Sequence, residues 1–152
     1  MAAVCHVVLA DTDPAERRRL ATLVDAASQE LDVPVLLHEV SDGREALAAI
    51  EAHQPLLFLG EVLLPELSGL ALLRRLREKW EKGAIPLFVF VTSMARESDR
   101  YWGLRNGANA YIIKPYDDEV VLARIRQVLR ARGKASAKSP PRIASRADCH
   151  RA

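Results

Sequence analysis

Five short apolar runs alternate along this chain with longer stretches of helical periodicity, and no other feature restricts its fold as much. The runs are Cys5 to Ala10, Val33 to Val40, Leu56 to Gly60, Leu87 to Thr92 and Ala110 to Ile113. Several are rich in Val, Ile and Leu, as strands covered on both faces are. Amphipathic stretches follow each of them, predicting helices over Pro14 to Leu31, Gly43 to His53, Leu67 to Lys82, Arg96 to Asn106 and Asp117 to Arg132. Asp13 is placed to cap the first helix with Pro14 at its first position, Ser41-Asp42-Gly43 opens the second, and Gly107 suits the stop of the fourth. Strict alternation of this kind implies an α/β fold, a five-stranded parallel sheet doubly wound by right-handed crossovers. In such sheets reactive groups gather at the carboxyl ends of the strands. Asp11, Glu61, Thr92 and Lys114 all fall at or just beyond those ends.

The chain's 152 residues, 49% of them hydrophobic, suffice for one domain with one core. There is no apolar stretch near the ~20 residues that span a bilayer, and the first residues lack the basic and apolar blocks of a signal peptide, so a cytoplasmic location is expected. Cys5 lies in an apolar run and Cys149 in a polar one, which predicts two reduced thiols rather than a disulfide. Residues 1–132 hold 17 Lys/Arg against 19 Asp/Glu and residues 133–152 hold 5 against 1, so a body of charge −2 carries a tail of +4. That division predicts a domain over 1–132 and a flexible basic tail over 133–152. Nucleic acid is not an expected partner, because Lys134, Lys138, Arg142, Arg146 and Arg151 are dispersed without an aromatic platform or recognition motif. Phosphate loops of the Walker type, zinc-spaced Cys/His clusters and nucleophile triads are all missing, and His6, His38, His53 and His150 read as scattered.

The remaining motifs act together: Leu9-Ala10-Asp11-Thr12-Asp13-Pro14, Ser41-Asp42-Gly43, Glu61-Val62-Leu63-Leu64-Pro65, Ser68-Gly69, Val91-Thr92-Ser93, Gly107-Ala108-Asn109-Ala110-Tyr111 and Lys114-Pro115. In this order, over residues 4–132, they resemble the receiver domain of two-component response regulators. The resemblance implies a flavodoxin-like (βα)5 fold with strand order 2-1-3-4-5. It also assigns roles. Glu61 stands where the family has its phosphoacceptor aspartate, and the acidic pair that helps hold Mg²⁺ reads Asp11-Thr12. Leu63 would offer its carbonyl to the metal. Thr92 matches the switch hydroxyl, Ser93 the small neighbour that gives phosphate access, and Lys114 the lysine that contacts the acidic group, followed by a cis peptide to Pro115. Tyr111 occupies the aromatic switch position, whose ring and hydroxyl move inward when the acceptor is charged. Trp102 lies on the fourth helix, part of the family's usual output surface.

Two departures decide the expected function. A glutamate at 61 carries −1 and two oxygens, whereas a phosphorylated side chain carries about −1.5 to −2 and three. A hydroxyl at 12 in place of a carboxylate weakens any Mg²⁺ site made by Asp11, Glu61 and Leu63, so no cofactor beyond weak Mg²⁺ is expected. The expectation is a non-enzymatic, phosphorylation-independent receiver whose output is protein–protein contact. Residues after 132 are too few for an output domain. A histidine kinase or an effector is the expected partner, or a second copy through the fourth helix, fifth strand and fifth helix. The alternative is a working phosphoacceptor in a phosphorelay, which both departures oppose because phosphoryl transfer depends on positioning and charge neutralisation.

Overall fold

The protein is described here from a computed structural model, which covers residues 4–134; the segment 135–152, with Cys149, His150 and four of the tail's basic residues, lies outside the described residues. The elements run β1 (Cys5–Ala10), α1 (Pro14–Leu31), β2 (Val35–Val40), α2 (Gly43–His53), β3 (Leu57–Gly60), α3 (Gly69–Lys79), a 3-10 turn (Lys82–Ala84), β4 (Leu87–Thr92), α4 (Glu97–Arg105), β5 (Ala110–Ile113) and α5 (Asp118–Lys134). All strand pairs are parallel and the sheet order is β2-β1-β3-β4-β5. The expected doubly wound sheet and its strand order are therefore present.

Alternate residues of each strand feed two cores. Val7, Leu9, Leu57 and Leu59 pack on one face with Leu20 and Val24 of α1 and Ile125 and Leu129 of α5. Val8, Ala10, Phe58, Phe88 and Phe90 pack on the other with Ile50 of α2 and Leu72 and Leu76 of α3. Burying both faces explains why the strands read as unbroken apolar runs. Edge strand β2 is the exception, with every residue at least partly exposed. None of the described helices is long and apolar enough to cross a membrane.

Several boundaries differ from the sequence expectation, each for a local reason. β2 begins at Val35 rather than Val33, because Val33 closes the exit of α1 through Val33 N–H to Ser28 O at 3.0 Å and Pro34 has no N–H to donate to a ladder. α3 begins at Gly69 rather than Leu67, since Ser68 is its cap, its Oγ accepting from Ala71 N–H at 3.1 Å. The same helix stops at Lys79 rather than Lys82, where Trp80 turns extended (φ −111°, ψ 150°) and buries its ring. Asp13 and Asp42 cap α1 and α2 as expected, and Gly107 follows α4 with φ 110°, a conformation glycine adopts without cost. α5 runs on to Lys134, past the expected boundary at 132 between domain and tail.

Candidate functional site

The carboxyl ends of β1, β3, β4 and β5 deliver four polar side chains to one place. Asp11 follows β1, Glu61 follows β3, Thr92 ends β4 and Lys114 follows β5; among the described residues, the first three are the only buried polar or charged ones. Close approach of β1 and β3 requires Gly60, where an added Cβ would lie 2.3 Å from the Ala10 carbonyl oxygen. Lys114 Nζ donates to Asp11 Oδ2 at 2.8 Å and to Glu61 Oε1 at 3.2 Å. The other Glu61 oxygen, Oε2, accepts from the Thr92 hydroxyl and from Leu63 N–H at 3.0 Å. Asp11 Oδ1 takes Asp13 N–H at 2.9 Å. Burial pulls the Lys114 pKa down, but its hydrogen bond to Asp11 and the two carboxylate charges outweigh that, and it ends above its ordinary value.

The surrounding residues are disposed differently. Thr12 and Ser93 are exposed, and none of the pocket hydrogen bonds above involves their side chains. Asp13 spends its carboxylate on the cap, accepting from Ala15 N–H at 2.9 Å. The Leu63 side chain is exposed while its N–H serves Glu61. The Lys114–Pro115 bond is cis.

Residues 7–126 match the response regulator receiver domain family. This chain belongs to that family. It is 28% identical over 126 residues to the protein PilH of Pseudomonas aeruginosa, covering 83% of this chain and 98% of PilH. To the transcriptional regulatory protein TrcR of Mycobacterium tuberculosis it is 35% identical over 127 residues, 82% of this chain but 45% of TrcR. The chain thus spans less than half of TrcR, and 39% of the regulator CseB of Streptomyces avermitilis. Among solved structures, a receiver domain protein of Methanospirillum hungatei superposes with a TM-score of 0.67 at 24% identity, covering 87% of this chain and 98% of its own. The receiver domain of a Syntrophus aciditrophicus histidine kinase superposes at 0.71 with 21% identity, covering 89% and 97%. At these identities the structures speak for the fold alone.

Within this receiver, Tyr111 on β5 points inward. Its ring is buried edge-on to Phe90 and its hydroxyl donates to the Met94 carbonyl at 2.8 Å. Burial, with Asp99 and Glu61 nearby, pushes its pKa up to about 12. α4 reaches Tyr111 through Gly103, where a Cβ would meet the ring at 2.8 Å. Also on α4, Tyr101 and Trp102 are each 54% exposed and stand edge to face. Trp102 also borders a cleft of about 320 Å³ shared with Val62, Met94 and Tyr111.

The structure corrects the sequence reading at one group. His6, His38 and His53 are not scattered: their rings stack with centroids 3.9 to 5.4 Å apart. The signal was available in the parity of the strands, since His6 shares its face of β1 with Val8, and His38 of β2 pairs with that same Val8. It could be read only once β1 and β2 were known to be neighbours.

Proposed function

We propose that this receiver signals without being phosphorylated, with Glu61 as a fixed-charge substitute for phospho-aspartate and a protein–protein contact as its output. The observation that carries the proposal is that one Glu61 carboxylate engages the Thr92 hydroxyl, the Lys114 ammonium and Leu63 N–H together. A phosphoryl group at this place would need the same donors. The extra methylene of glutamate lets a plain carboxylate reach them. Tyr111 lies in the inward position that the family resemblance associates with a charged acceptor. With one charge and two oxygens the mimicry is partial.

Mg²⁺ does not fit this donor set well. It demands near-octahedral oxygen ligation, whereas both carboxylates are engaged by Lys114 Nζ, Asp13 caps a helix and Thr12 offers a neutral hydroxyl. The partner is a signalling protein, a histidine kinase or an effector, or a second copy meeting the first through α4, β5 and α5. Tyr101 and Trp102 make the exposed aromatic anchor there, aromatics being enriched at binding hot spots.

Intact-mass spectrometry after incubation with a small-molecule phosphodonor and Mg²⁺, beside Glu61→Asp and an established receiver, tests the proposal. The wild type should gain no phosphoryl adduct while the established receiver does; an adduct on wild type overturns the fixed-charge reading. For the self-association arm, sedimentation velocity should show Trp102→Ala weakening any dimer by roughly 30-fold, the hot-spot threshold of about 2 kcal/mol.

A further inference from the structure

His6, His38 and His53 occupy the side of β1 and β2 covered by α2, well away from the acidic pocket. His6 is the second residue of β1, His38 lies mid-way along β2 opposite Val8, and His53 is the last residue of α2. Five residues of strand separate His6 from Asp11, roughly 16 Å. His6 Nδ1 and His38 Nε2 are 2.8 Å apart, a separation at which the two nitrogens share one proton. Candidate ligand nitrogens from all three rings lie within 4.8 Å of one another. His6 and His38 are partly buried on the rigid sheet, while His53 is exposed at a helix end.

We propose that these three histidines form a binding site for a first-row transition dication, with zinc as the expected occupant and a fourth coordination position open to water. Imidazole donors suit zinc, copper and nickel, and an all-nitrogen set disfavours Mg²⁺ and Ca²⁺. Tetrahedral zinc with Zn–N of about 2.0–2.1 Å places its ligand nitrogens roughly 3.3 Å apart. The His6–His38 pair, at 2.8 Å, must therefore open slightly, while the three nitrogens together, within 4.8 Å of one another, draw in toward that spacing. The rings are nearly parallel, at 11° to 15°, so they must turn about their side-chain torsions to aim in-plane lone pairs at one point. The exposed His53 is free to make the largest turn. The cation would replace the proton between His6 and His38 and tie the carboxyl end of α2 to edge strand β2.

The test uses the full chain, free of any affinity tag and stripped with EDTA, titrated with zinc chloride by calorimetry and followed by thermal melting. One equivalent should bind and raise the melting temperature, and Co²⁺ should give the visible band of tetrahedral nitrogen coordination. His53→Ala, at an exposed position, should keep the fold and weaken zinc binding at least tenfold; His38→Gln should do the same. A Cys149→Ala/His150→Ala variant should bind as wild type does. Failure of the folded chain to bind zinc overturns the proposal, as does affinity unchanged in both His53→Ala and His38→Gln. Loss of binding in the Cys149→Ala/His150→Ala variant alone overturns it too, assigning the metal to the tail.

Discussion

The two ends of β1 carry polar clusters built by opposite logic. Beyond its carboxyl end, Asp11 and Glu61 face one ammonium, and the hydrogen bonds of Glu61 are completed by Thr92 and Leu63. Near its amino end, three groups of the same kind stack face to face, and His53 and His6 lower the affinity of His38 for protons after burial has done so first. Charges of opposite sign hold the first cluster together, and, against the effect of burial, the two carboxylates keep the Lys114 pKa above its ordinary value. Like groups make the second one depend on solution conditions. The two clusters stand about five residues apart along β1, at opposite ends of the strand.

The sharpest way to break this contrast is to remove the cation of the first cluster. Lys114→Met leaves two buried carboxylates facing each other without a counter-charge. Breaking such a pair costs about 3 kcal/mol or more, which urea denaturation at pH 7 should report. An unchanged midpoint would mean that the pocket is solvated and its contacts are weak.

Smaller effects should follow from its neutral members. Thr92→Val keeps the shape but removes the hydroxyl from Glu61, a bond to a charged group worth about 2 kcal/mol; Thr92→Ser should recover most of that in the same assay. Gly103→Ala places a methyl 2.8 Å from the Tyr111 ring. Overpacking of this kind costs about 1–2 kcal/mol. Because the ring is the part able to move, the hydroxyl should leave Met94, and Tyr111 fluorescence or its NMR ring signals should become those of an exposed tyrosine. A ring that stays in place would show α4 yielding instead.

Much of this was legible in the chain itself, for reasons visible in particular residues. Parallel strands buried on both faces leave runs such as Leu87 to Thr92 that no surface element imitates, so the alternation exposed the fold. Strand ends meet at one edge in this topology, so Asp11, Glu61, Thr92 and Lys114 could be grouped before any coordinates. Element ends were less readable: Trp80 carries a helical periodicity but leaves α3 because its ring is buried by turning away. The histidine cluster was hidden for a different reason. His6, His38 and His53 come from three elements with spacings of 32 and 15, which match no local motif, and only strand neighbourhood and parity bring them together.

The smallest predicted effect separates the two ends by the sign of their pH dependence. His6 and His38 have pKa values lowered from 6.5, by burial first and by neighbouring histidines second. In EDTA, the unfolded chain therefore binds more protons than the folded one just below that value. Stability from these groups is complete above pH 6.5, declines as the pH falls through it and levels off below the folded pKa values. Lys114 is the reverse: its pKa is raised above 10.5, so its contribution is complete below that value and is lost as the pH rises through the folded one. Tyr111 and Tyr116, also raised, lose stability in the same alkaline range, so the Lys114 share must be read as a difference between wild type and Lys114→Met. His38→Gln should flatten the slope between pH 7 and 5 and leave the alkaline limb alone, while Lys114→Met should flatten the alkaline limb. If His38→Gln leaves the acid slope as it was, the stacked rings titrate like free histidines and the contrast between the two ends disappears.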